Sequence, residues 1–318
     1  MAQQKFPQQK FAVKEHMADQ LIRAVAADGG IRVVGVTTTR LVEVARNRHE
    51  LSYVATAALG RAMTAGLLLV SSMIKPESRV NIRVKGSGPL GGLMVDAGLD
   101  GTVRGYVENP KIELPPNADG KLDVGAAVGK EGYIYVVRDV GHGYPYSSTV
   151  ELVTGEIGDD LTHYLASSEQ TPSALVLGVF VVAYVVEAAV GLLLLVLPKA
   201  ARDEVLISQL ESRLGSLSGF TPMLKEGKTL PQMIDELVGD MGLEMLPGSQ
   251  LVQFSCRCNR DRMLGALKLL GTEELADMIK VDDGAEAICH FCNEVYRADS
   301  LHLQAMIDEL IAEQSKAK

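Results

Sequence analysis

Residues 175–197 read LVLGVFVVAYVVEAAVGLLLLVL, and the fold turns on whether this run is a membrane helix or a pair of buried strands. It carries one charge, Glu187, with Lys199 and Arg202 just beyond it, so length and hydropathy permit a transmembrane helix. Against that stand eight valines, Gly178 and Gly191 within the run, Pro198 at its end, and a carboxylate near the middle that would be costly in lipid. Two adjacent buried strands accommodate all of these features. A protein tethered to a membrane at 175–197 is the competing expectation.

Upstream, Met17, Leu21, Ile22 and Val25 recur at helical spacing within 14–28 and predict a helix ended by Gly29 and Gly30. Residues 31–44 predict a strand, with Val33, Val34 and Val36 followed by three threonines. Ala, Leu and Met fill 52–73 and predict a helix buried on most sides. Runs at 80–85, 93–97, 101–107 and 132–137, divided by Gly and Pro turns, predict strands of a twisted mixed sheet. Residues 161–169 predict a short helix stopped near Pro172. After Pro198 charged residues mix with Leu and Ile among the breakers Gly215, Gly219, Pro222, Gly227 and Pro231, which predicts two or three short helices forming a connector rather than a core. The expected class is α+β. It comprises an N-terminal mixed α/β domain with a twisted sheet (1–198), a helical linker (199–247) and a small C-terminal zinc-binding domain (248–318).

That last assignment rests on the cysteines, all four of which lie in one short segment: Cys256-Arg257-Cys258, then thirty residues, then Cys289-His290-Phe291-Cys292. The N-terminal residues lack the basic-then-apolar stretch and small-residue cleavage site of a secretory signal, so a cytoplasmic protein is expected. Cytoplasmic thiols stay reduced, and tight pairs there indicate a metal site or a redox device. Cys256, Cys258, Cys289 and Cys292 match the needs of a closed tetrahedral site for one Zn2+ per chain. His290 could replace a sulfur, although four ligands are already present, and four unrelated buried cysteines would be the plain alternative. Such a site can be purely structural. If zinc leaves, however, Cys256 with Cys258 and Cys289 with Cys292 are close enough to form local disulfides, so oxidation and metal release can be one event. Arg257, Arg260 and Arg262 could offset the charge of four thiolates, or be ordinary surface charge.

Other chemistry finds little support. Residues 86–91 match G-x-G-x-x-G, but the following residues are strand-like where a dinucleotide site needs a helix to open. The six histidines show no metal-protease spacing, and no nucleophile elbow, S-x-x-K pair or P-loop occurs, so no catalytic residue is expected and an enzyme is not. A net charge of −9 and the lack of tryptophan argue against nucleic acid as a partner. At 318 residues, 47% hydrophobic, the chain is long enough and apolar enough for more than one folded domain.

Taken together, the stretch from Gly86 to Leu90, the stretch from Tyr164 to Pro172 with Ser168-Glu169-Gln170, the stretch from Leu192 to Pro198, and the two cysteine pairs resemble the Hsp33 family of redox-regulated holdase chaperones almost end to end. The resemblance implies a reduced, zinc-bound, inactive form in which Cys256, Cys258, Cys289 and Cys292 are both ligands and redox sensors. It implies that peroxide or hypochlorous acid with heat oxidises the four cysteines, ejects zinc and unfolds the C-terminal domain and then the linker. The activated form would dimerise and hold unfolding client proteins during oxidative stress. A zinc-stabilised interaction protein without redox response is the alternative. The sequence departs from the family at 184–186, where a polar, glycine-containing turn is usual, at Val190, where glycine is usual, and at Leu195, where glutamine is usual. Each change is toward apolar, and a stickier N-terminal domain is the expectation.

Overall fold

The computed structural model describes residues 18–216 and 220–316. In chain order the first part comprises β1 (Gln20–Ala26), β2 (Ile31–Thr37), α1 (Thr39–His49), α2 (Tyr53–Val70), β3 (Arg79–Gly86), β4 (Gly92–Gly98), β5 (Thr102–Val107), α3 (Val124–Val128), β6 (Gly132–Asp139), β7 (Tyr146–Glu151), α4 (Ile157–Ser168), β8 (Ser173–Val182) and β9 (Val185–Val196). There follow α5 (Glu204–Ser216), α6 (Thr221–Lys225), α7 (Leu230–Val238), β10 (Glu244–Met245), β11 (Gln250–Leu251) and β12 (Gln253–Phe254). The chain ends in α8 (Arg260–Leu267), α9 (Thr272–Asp282), β13 (Gly284–Ile288), β14 (Val295–Asp299) and α10 (Ser300–Lys316). The class is α+β, as the sequence suggests.

Residues 175–197 form the antiparallel pair β8–β9, not a helix. They belong to one sheet, ordered β10-β1-β2-β9-β8 with β11 also against β1, while a second sheet runs β12-β5-β4-β3-β6-β7. The near-continuous apolar run follows from burial on both faces. Val190, Leu192, Leu194 and Val196 face one hydrophobic cluster, whereas Ala189, Leu193 and Leu195 face another. The one charge of the run, Glu187, is exposed near the turn end of β9.

Between the two sheets lies α2, with every residue buried except Tyr53 and Arg61. Its alanines and glycines let both sheets approach closely, and Ser52 caps it by accepting a hydrogen bond from the Ala55 N–H (3.2 Å). Among the described residues it is the one helix long and apolar enough to cross a membrane, and 89% of it is buried inside the fold.

The predicted helix at 14–28 is corrected to a strand; Met17 lies outside the described residues. Leu21 packs into the core around α2 while its neighbour Ile22 packs against the opposite cluster, which is strand alternation. Ala27, Asp28 and Gly29 all take positive φ and turn β1 back into β2. The predicted strand 31–44 stops at Thr37, because the threonines form a junction into α1. Thr38 and Thr64 share a buried hydroxyl hydrogen bond (2.7 Å), and the buried Asp19 accepts from the Leu41 N–H (2.7 Å) at the start of that helix. The glycines of 86–91 join the antiparallel strands β3 and β4, with no helix to receive a phosphate. A Cβ on Gly88 would fall 2.3 Å from the Ala127 carbonyl oxygen, so glycine serves the close crossing of α3.

The expectation of a connector rather than a core is also corrected. Leu210, Phe220, Met233, Ile234, Leu237 and Val238 bury themselves with Ala24, Ile31, Val33, Leu192 and Leu194, so α5–α7 close the outer face of the first sheet. Thr229 and Gln232 form a capping box at the start of α7. Arg213 ties α5 to the end of α7 through the Leu237 carbonyl (2.9 Å) and Asp240 (2.6 Å to Oδ2). Two of the three apolar departures do not add to the surface: Val190 lies 5% exposed beneath these helices and Leu195 8% exposed in the core, whereas Tyr184 and Val185 at the turn are exposed. The turn itself falls at Ala183 and Tyr184, both at positive φ, one residue before the expected 184–186.

Candidate metal centre

The first cysteine pair grows out of the second sheet. β12 pairs in parallel with β5, Gln253 opposite Thr102 and Phe254 opposite Val103, and the Ser255 N–H then donates to the Val103 carbonyl (2.9 Å). Cys256 and Cys258 follow directly, before Asn259 caps α8 by accepting from the Arg262 N–H (2.8 Å). The second pair sits in the turn between β13 and β14. Here the Cys289 carbonyl accepts from the N–H groups of Asn293 (2.7 Å) and Cys292 (3.2 Å), with Asn293 at positive φ. The helices α8–α10 and this hairpin enclose a small core of Leu264, Leu275, Ala298, Leu303, Met306 and Ile307.

The two turns bring all four sulfurs within 4.8 Å of one another. Cys256 Sγ lies 3.7 Å from Cys289 Sγ, and Cys258 Sγ lies 3.3 Å from Cys292 Sγ. A tetrahedron with metal–sulfur bonds of about 2.3 Å has edges of about 3.8 Å, so the cluster has the size to hold one metal ion. Cys289 and Cys292 are buried and the other two half-buried. His290 is exposed, its ring 6.0 Å from that of Tyr106, and is not part of the cluster.

Electrostatics separate the thiols. Burial raises Cys256, but a hydrogen bond from Arg104, with further ones from the Cys258 backbone and neighbouring sulfurs, outweighs it and lowers this thiol to about 7. Burial pushes Cys289 and Cys292 above the ordinary thiol range. Tyr296 Oη donates to Cys258 Sγ (3.2 Å), and that bond raises the phenol.

The cation on sulfur is therefore Arg104 of β5, 152 residues upstream, whose Nη1 donates to Cys256 Sγ (3.3 Å). Of the three arginines named from sequence, Arg257 pairs with Asp100 (3.3 Å) and Arg262 donates to the Arg257 carbonyl (3.1 Å), while Arg260 is exposed at the start of α8. Arg48 and His49, at the end of α1, complete the surroundings. Arg48 Nη1 donates to the Cys292 carbonyl (3.2 Å) and His49 Nε2 to the Phe291 carbonyl (3.2 Å), while the Arg48 carbonyl accepts from Asn293 (2.9 Å). Sequence spacing gives no hint of these contacts, although Arg104 and Tyr106 do alternate outward along β5.

The Hsp33 protein family model matches residues 19–299. The chain belongs to the Hsp33 family. It is 70% identical over 297 residues to a 33 kDa chaperonin of Rippkaea orientalis, covering 93% of this chain and 99% of that one. A 33 kDa chaperonin of Synechocystis sp. is 68% identical over 300 residues, at 94% and 99% coverage. The crystal structure of the Thermotoga maritima 33 kDa chaperonin superposes with a TM-score of 0.85 at 32% identity, covering 93% of this chain and all of that one. Within this Hsp33 chain the Ser168-Glu169-Gln170 run is structural: Glu169 accepts from Tyr164 Oη (2.7 Å) and pairs with Arg138.

Proposed function

We propose that the protein is a cytoplasmic, redox-regulated holdase chaperone that is inactive when reduced and that captures unfolding clients once its C-terminal domain and linker come undone. The observation that carries this reading is the apolar cluster under α5–α7. Among the described residues, a sheet face bearing Ile31, Val33, Leu192 and Leu194 is covered by α5–α7, short helices in series with the cysteine module. Melting those helices would uncover a contiguous apolar surface suited to exposed segments of unfolding chains. No covalent turnover of a substrate is involved.

In this account Cys256, Cys258, Cys289 and Cys292 hold one Zn2+ per chain in the reduced form, consistent with an all-sulfur donor set of tetrahedral size. Bound zinc supplies the cross-link that holds the two turns together, worth on the order of 10 kcal/mol in modules of this kind. A module with so small a core of its own would not stay folded without it. On activation a cysteine thiolate attacks one peroxide oxygen, giving a sulfenic acid and hydroxide; its partner thiolate attacks that sulfur, closing the S–S bond and releasing a second hydroxide. The proposed bonds are Cys256–Cys258 and Cys289–Cys292. Their short loops favour local pairing once the two turns separate. The activated chain then pairs as a homodimer.

The test treats reduced protein with peroxide at mildly elevated temperature while following zinc with a chelating dye and the aggregation of an unfolding test protein. Zinc release together with newly acquired suppression supports the switch. Zinc release without suppression would leave a zinc-stabilised interaction protein, and disulfide mapping would check the pairing.

A further inference from the structure

Arg104 reaches the sulfur cluster from a different domain-forming element, and its own anchoring is unusual. Its Nε donates to Asp96 Oδ2 (2.9 Å), and Asp96, only 8% exposed, also receives Arg79 Nε (2.8 Å). The guanidinium is thereby anchored on the second sheet by contacts that do not involve the cysteine module. Its free edge donates to Cys256 Sγ, and its face lies over the Phe291 ring, 4.2 Å from the centroid. Cys256 belongs to the first cysteine turn and Phe291 to the second. One side chain of the sheet therefore grips both halves of the centre.

The remaining contacts have the same character. Arg48 and His49 take the carbonyls of Cys292 and Phe291, backbone groups presented by the second turn, and Tyr106 packs edge-on against Phe291 at 5.5 Å. The first turn is registered on the sheet through β12. The seam thus reads the relative placement of the two turns, which is the property that a metal bound by all four sulfurs would fix.

We propose that Arg104 is a positioning residue that makes the four-sulfur centre part of the seam with the second sheet, so that metal occupancy and module docking stabilise each other. This rests on the reading that the four cysteines hold zinc. Four thiolates around a divalent ion leave a net charge of −2, and a fixed guanidinium on one sulfur offsets it while orienting that ligand. Linkage then runs both ways: a docked module retains its metal longer, and a metal-free module docks less well.

The experiment uses the full reduced, zinc-loaded chain and its Arg104→Met and Arg104→Lys variants. Zinc content is measured first, and a wild type without zinc would refute the metal reading itself. With zinc present, transfer to a chelator under reducing conditions is expected to be about tenfold faster in R104M and intermediate in R104K. Hydrogen exchange at residues 253–255 and 291–294 should rise in R104M while Leu275 and Leu303 in the module core stay protected. Transfer rates and exchange within twofold of wild type would overturn the proposal. Should R104M fail to fold, R104K, which keeps the charge but loses the fork that meets both Asp96 and Cys256, carries the test: its zinc transfer and its exchange at residues 291–294 should exceed wild type by more than about twofold, and values within twofold would overturn the proposal equally.

Discussion

Phe220, immediately before α6, lies directly over Gly178 of β8: a Cβ on the glycine would come 2.9 Å from Phe220 Cβ and 3.2 Å from Leu224 Cδ1. Phe220 is wholly buried there, so this segment is seated on the sheet at a site shaped for it. Gly178→Val keeps a residue suited to a strand but occupies that site, since overpacking at such a contact costs about 1–3 kcal/mol. Linker docking should absorb the cost. Reduced, zinc-loaded G178V is expected to suppress aggregation of a test protein before any oxidant is added, whereas wild type does not. A G178V protein as inactive as reduced wild type would show that the linker does not mask the holding surface.

The β8–β9 turn places Ala183 and Tyr184 at φ of 47° and 62°, a pair of left-handed residues without glycine. Tyr184 is compensated by its ring against Tyr53 (4.6 Å) and by donation of its N–H to Tyr53 Oη (3.1 Å). Ala183 has no comparable compensation in these contacts. Ala183→Asn should stabilise the N-terminal domain by on the order of 1 kcal/mol, because asparagine adopts this conformation more readily. A denaturant melt of the reduced protein would check this, with a raised midpoint and an unchanged slope expected.

His49 gives the seam a pH dependence. Burial is the main cause that lowers it below the ordinary 6.5, reinforced by Arg48 and partly offset by the carbonyls of Phe291 and Gly105. When the module is undocked His49 returns toward its ordinary value. Below pH 6.5 the undocked form then binds a proton that the docked form resists, so docking is fully favoured above 6.5 and weakens as pH falls toward the lowered value. Hydrogen exchange at residues 291–294, corrected for intrinsic rates, should show less protection at pH 5.5 than at 7.5. His49→Gln should remove the part of that change due to the imidazole, and an identical pH response in H49Q would refute the assignment.

The features of the fold legible in the sequence were those governed by local pattern. Valines, glycines and Pro198 spoke for strands at 175–197 without settling the matter against hydropathy, and the two-sided burial of β9 explains why the run looked like a membrane span at all. At 14–28 the spacing of Leu21 and Val25 mimicked a helix because strand neighbours on both faces were apolar. The burial of α5–α7 was not read from the sequence: Leu230, Met233, Ile234 and Leu237 share a helical face, but the partner face lies on strands far away in the chain. The cysteine spacing pointed to the sulfur cluster. Arg104, Arg48 and His49 were not legible, because each meets the cluster only after two separately built units come together.

The central claim is that the linker covers the holding surface and that oxidation of the cysteines uncovers it. Hydrogen exchange on the reduced and the peroxide-treated chain tests this most directly. The account predicts that residues 204–216 and 230–238 lose protection on oxidation while β2, β9 and α2 keep theirs, in step with the onset of aggregation suppression. Suppression that appears while 230–238 stays protected would contradict it.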